Sequence, residues 1–136
     1  MSKKIIIMIL GVAIIVLSLI FFPNSNSIDH KILEQTFEVK AIYFANDGYA
    51  EVLFHDKSNK TKHVVLEILG MPKSFHREYA SSSFVEKIQL DSIPSYGWQS
   101  IPIILSVTHE ELGDVGIKTE IRPLGEIPAK IIFSRE

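Results

Sequence analysis

The chain has 136 residues, with 14 Lys and Arg against 16 Asp and Glu and no cysteine. A net charge of −2 with scattered basic residues gives nucleic acid no footprint to bind. The absence of thiols excludes disulfides, thiolate catalysis, cysteine-based zinc sites and the cysteine ligand of blue copper.

Residues 1–4 read as a short cytoplasmic N-terminus, because Lys3 and Lys4 stand just before an apolar run and basic residues stay inside. From Ile5 to Phe22 every side chain is apolar except Gly11 and Ser18. As a helix this run spans roughly 27 Å, close to a bilayer's hydrocarbon core, and predicts one transmembrane segment acting as a signal anchor. The lipid bilayer is then a partner through residues 5–22. Ser25 and Ser27 offer a small-residue cleavage site, so a cleaved signal peptide and a secreted domain are the rival reading. Without an ionisable residue the run offers no proton relay or ion path.

Residues 23–31 read as a tether. Pro23 removes a backbone donor and ends the helix, and Asn24 to Ser27 are coil formers. About seven flexible residues reach only ~15 Å, which holds the rest of the chain near the membrane on its extracytoplasmic side. Residues 32–136 make one ordinary domain, and the chain after the anchor carries a net charge of −4, from twelve basic and sixteen acidic residues.

That domain alternates apolar and polar residues with the period of half-buried strands. Phe37, Val39, Ala41 and Tyr43 share one face of a first strand; Ala50, Val52 and Phe54 mark a second, and Val64, Leu66 and Ile68 a third. Less regular strands fall at residues 84–90 and 129–134. Ile101, Ile103, Leu105 and Val107 line another strand, in which Pro102 predicts an edge position or a bulge. Val115, Ile117, Thr119 and Ile121 alternate with polar residues in a further strand. Asn46-Asp47-Gly48 supplies a left-handed turn, and Asp56 to Lys60 predicts a hairpin loop joining the second and third strands. The long connection from Gly70 to Ser83 predicts one or two helical turns at residues 74–80, with Phe75 and Tyr79 on one face covering an end of the core.

Seven short strands with turns between them predict an all-β fold, a single antiparallel β-sandwich. In architecture alone this resembles immunoglobulin and fibronectin type III modules; the paired cysteines of antibody domains are missing. A small barrel is the alternative.

Few residues suggest chemistry. If the Asp56 to Lys60 loop closes a hairpin, His55 and His63 become same-face diagonal neighbours and candidate ligands for copper or zinc. Phe75, Tyr79, Tyr96 and Trp98 are aromatic candidates for partner binding, with burial in the core as their ordinary use. Asn59-Lys60-Thr61 is a glycosylation triplet. His109, Glu110, Glu111 and Asp114 crowd carboxylates into one turn, but too few oxygens for calcium. There is no Gly-x-Ser-x-Gly turn and no phosphate loop, so no catalytic motif or cofactor is expected, although a triad of distant residues would leave no trace in the sequence. The expectation is a single-pass membrane protein whose external domain makes protein contacts, as an accessory subunit or surface module. A metal-handling domain is the alternative.

Overall fold

The computed structural model describes residues 30–71, 73–90 and 101–135. The apolar run at 5–22 and the Tyr96–Trp98 cluster lie outside the described residues. Among those described, no helix is long and apolar enough to cross a membrane.

A short helix α1 (His30–Thr36) leads into eight strands: β1 (Phe37–Phe44), β2 (Tyr49–Asp56), β3 (Thr61–Ile68), β4 (Phe75–Tyr79), β5 (Ser83–Gln89), β6 (Ile101–His109), β7 (Gly113–Pro123) and β8 (Ile132–Arg135). They pair in the order β4-β3-β6-β7-β1-β2-β5, with β8 added on β7. The sheet curls into a nearly closed barrel rather than the expected pair of facing layers. The eleven-residue β7 makes this possible by dividing its free edge. Val115 to Lys118 pair with β8, and Arg122 and Pro123 pair in parallel with Ile42 and Tyr43 of β1. One continuous strand thereby belongs to both halves.

The alternating residues face inward as their period requires. Val52, Phe54, Val64, Leu66, Ile103, Leu105 and Ile117 are essentially inaccessible to water. Burial of each contributes about 1.5–3 kcal/mol relative to exposure. An aromatic chain crosses this core from strand to strand. His109 meets Phe37 edge-on at 5.6 Å, Phe37 stacks on Phe54 at 5.9 Å, Phe54 on Phe84 at 5.5 Å, and Phe84 on Tyr79 at 3.7 Å.

The first hairpin forms as expected. Gly48 sits at φ +69°, open to glycine at little cost, and the N–H groups of Asp47 and Gly48 both bond the Phe44 carbonyl. Three other expectations give way. The segment at 74–80 is strand β4, not helical turns; residues four apart share a face in either geometry, so Phe75 and Tyr79 fitted both periods. The strands β2 and β3 do not pair: β2 lies between β1 and β5, and β3 between β4 and β6. Pro102 occupies a central strand, not an edge. It lies one residue beyond the last β3–β6 pair, Ile68↔Ile103, where its carbonyl still accepts from the Leu69 N–H and its missing donor breaks no ladder.

Candidate functional site

The turn from Asp56 to Lys60 sends the chain from one half of the barrel to the other, and a buried carboxylate organises it. Asp56 is wholly inaccessible. Its Oδ1 accepts from the Ser58 N–H at 2.8 Å and the Ser58 hydroxyl at 2.6 Å; its Oδ2 accepts from the N–H groups of Lys60 (2.9 Å) and Thr61 (2.8 Å) and from the Thr61 hydroxyl at 2.8 Å. Burial alone would push this carboxyl up. The hydrogen bonds from Ser58, Thr61 and Lys60 outweigh it and hold the group at about 2. Neighbouring loops bond the same turn: Lys57 N–H to the Thr36 carbonyl, Asp56 N–H to the Ser82 carbonyl, and Glu110 N–H to the Lys60 carbonyl.

His109 approaches this knot from the β6–β7 turn. Its Nε2 lies 2.9 Å from Ser58 Oγ and 3.3 Å from Asp56 Oδ2. Serine, histidine and aspartate therefore meet, but not as a nucleophilic relay. His109 Nδ1 accepts from the N–H groups of Glu111 (3.1 Å) and Leu112 (3.0 Å), so those partners assign the ring hydrogen to Nε2. Nε2–H donates toward Ser58, whose own hydrogen goes to Asp56. A general base needs its lone pair toward the hydroxyl, and here the proton stands in that place. The acidic turn meets a cation too: Glu111 pairs with Lys60.

A second polar group spans the seam between the terminal strands β4 and β5, which share no ladder. Glu86 on β5 receives Arg77 Nη1 on one carboxylate oxygen and the Tyr79 hydroxyl on the other. Burial, then the Glu86 carboxylate, raises Tyr79 well above an ordinary phenol. Phe75 and Tyr79 both pack against the core.

His55 and His63 fall on strands that do not pair, so the diagonal expected of a hairpin does not exist. His55 lies opposite Glu38 and Ser83, whereas His63 lies on the outer face of the β3–β4 pair with His76, Glu67 and Glu78. Asn59 is exposed at the turn with φ 56°, a left-handed conformation asparagine tolerates.

A cleft opens where β7 divides. β1 pairs with β2 along its whole length but with β7 only at Ile42 and Tyr43, leaving the edge from Phe37 to Ala41 with no strand partner among the described residues. The space, about 460 Å³, is lined by Val39, Ala41, Thr119, Glu120, Gly125 and Pro128. Arg122 donates to the Ile127 carbonyl at 3.0 Å and steadies the lip. Leu124, which lines the cleft, is 65% exposed, and Ile127 in the same loop is 82% exposed. The sequence hid this cleft because alternation identifies a strand's faces and says nothing of its edges.

No protein family, characterised protein or solved structure matches the chain.

Proposed function

We propose that this is a single-pass, membrane-anchored protein whose β domain lies on the extracytoplasmic side and makes protein contacts there, as an accessory subunit or surface module. Residues 5–22 are the anchor, and the short tether after them keeps the domain beside neighbours in the same membrane. The observation that carries the reading is the cleft beside β1. A strand edge without a strand partner among the described residues, next to the exposed Leu124 and Ile127, suits an extended segment of another polypeptide, which would add main-chain hydrogen bonds and cover the apolar lip. The polar network elsewhere supports it, because the buried Asp56 and His109 and the Ser58 between them spend their hydrogen bonds on one another and on turns.

Affinity capture from detergent-solubilised membranes is the test. A specific membrane or surface protein should accompany the intact chain and be lost when Ile127 and Leu124 are both changed to Asp. A chain recovered alone overturns the reading, as does mature protein that begins near residue 28 and leaves the membrane fraction.

A further inference from the structure

β1 reaches the cleft with a definite backbone polarity. The Tyr43 carbonyl accepts from the Leu124 N–H at 2.9 Å, so Tyr43 turns its main chain toward β7. Main-chain groups alternate sides along a strand, which aims the N–H and C=O of Val39 and the N–H of Ala41 the same way. Those of Lys40 and Ile42 go to β2, opposite Leu53 and Glu51. From Phe37 to Ala41, about 16 Å of extended chain, this side of β1 has no strand partner among the described residues. The slot is shut at one end. There Ile42 and Tyr43 pair with Arg122 and Pro123, and the Glu126 N–H bonds the Pro123 carbonyl.

Charge at that closed end is unbalanced. Lys40 pairs with Glu38 at 2.7 Å, and Arg122 lies 3.6 Å from Glu120 and donates to the Ile127 carbonyl. Glu126 is exposed, belongs to the cleft lining and has no ion pair among the described residues. The charge left for an occupant to meet is therefore a carboxylate.

Resting on the reading of this cleft as a seat for an extended segment, we propose that the occupant is the free N-terminus of a partner chain. It lies antiparallel to β1 with its α-amine at Glu126. Three features converge on this. A segment that runs into a closed slot must stop there or fold back, and there is one strand edge for it to pair with, so it enters by a chain end. The unmatched carboxylate at the closed end selects the cationic end, the α-amine, over a C-terminal carboxylate. With its N-terminus beside Ile42 the segment runs toward Phe37, against the direction of β1, and antiparallel pairing is the more stable ladder. Its side chains in step with Val39 and Ala41 face the barrel wall at Thr119 and Pro128, which calls for apolar residues at alternate positions.

The test uses the full chain in detergent and a seven-residue peptide of alternating valine and threonine. One form has a free α-amine and an amidated C-terminus, a second is capped at both ends, and a third is acetylated with a free C-terminal carboxylate. Fluorescence anisotropy reads affinity, and amide chemical shifts read the place of binding. The free-amine peptide should bind about three- to fivefold tighter than the capped one, the scale of one partly exposed ion pair, and should shift the amides of Val39 and Ala41. Glu126→Gln should remove that difference without moving the thermal melt, because Glu126 faces solvent. The carboxylate form should bind no better than the capped one. Equal binding of all three forms overturns the proposal, as does preference for the carboxylate form, or absence of shifts at Val39 and Ala41. A neighbour captured from membranes while every peptide fails strikes the N-terminal assignment and leaves the protein-contact reading standing. Peptide binding with nothing captured does the reverse.

Discussion

Asp56 and His109 lie 3.3 Å apart, both almost fully buried, on two turns that the sequence separates by half the domain. Ser58 sits between them, donating to the carboxylate and accepting from the ring. This contact ties the β2–β3 crossing to the β6–β7 turn and so fixes how the halves of the barrel meet. A carboxylate accepting five hydrogen bonds away from water is tolerable only while all its donors stay in place.

Removing Asp56 should therefore be among the most damaging single changes. Asp56→Ala strands two hydroxyls and three backbone N–H groups at once, and the expected loss is about 3–5 kcal/mol, read as the shift in urea midpoint. Asp56→Asn keeps the shape and part of the acceptor capacity, and should cost less. A loss below 1 kcal/mol for the alanine variant would show that the turn does not depend on this group.

The same carboxylate makes a pH prediction. Its folded value, about 2, lies below the ordinary 3.8, so the folded state favours the ionised form. That contribution is fully present above pH ~4, and is lost as the pH falls through 3.8 towards 2. At 1.36 kcal/mol per unit the loss is about 2 kcal/mol, and Asp56→Asn should flatten the curve in that window. Urea melts between pH 2 and 6 measure it; parallel curves for the two proteins would contradict the assignment.

Much of the core was legible because period-two alternation reports burial directly: Ala50, Val52 and Phe54, then Ile103, Leu105 and Val107, all face inward as read. The pairing was not, because the same alternation fits any neighbour. A polar turn between β2 and β3 looked like a hairpin, and only the network around Asp56 reveals that the chain crosses to the other half. One local signal existed: Asp56-Lys57-Ser58 has the spacing of a turn closed by an aspartate side chain onto the N–H two residues on. His109 carried no comparable mark, since its partner Ser58 is 51 residues away. Nor did the His63, His76 and Glu78 group, which exists only because β4 is a strand in this register.

Ser58 should not behave as a nucleophile. With the His109 hydrogen on Nε2, its hydroxyl has no base to receive its proton. A broad serine-reactive fluorophosphonate probe should leave it unmodified, while Ser58→Ala should cost about 1–3 kcal/mol by leaving Nε2–H and one carboxylate oxygen short of a partner. Covalent labelling mapped to Ser58 would restore a hydrolase reading.

The β4–β5 seam predicts where the barrel yields first. Arg77, Tyr79 and Glu86 join strands that no backbone ladder connects, so amides on these edges should exchange faster than those of β6 and β7. Arg77→Ala removes the cation from a nearly buried Glu86, with an expected loss of about 1–3 kcal/mol and faster exchange confined to β4 and β5. Because Tyr79 is raised in the folded protein, its contribution is intact below pH ~10 and falls as the pH rises through the ordinary phenol value. Spectrophotometric titration should show one late tyrosine that disappears in Tyr79→Phe.

The cleft separates binding from stability. Leu124 and Ile127 face solvent, so their loss removes little buried area from the folded chain. Changing either to Asp should shift the unfolding free energy by no more than about 0.5 kcal/mol, the usual range at exposed sites away from caps and special backbone. The same changes should lower recovery of a bound partner, because a charge on the lip must be desolvated when an extended segment settles against β1. Val39→Asp is the informative contrast: its side chain is buried in the core, and it should lose stability and partner together. If Ile127→Asp leaves capture unchanged while the fold is intact, the contact surface lies elsewhere on the barrel.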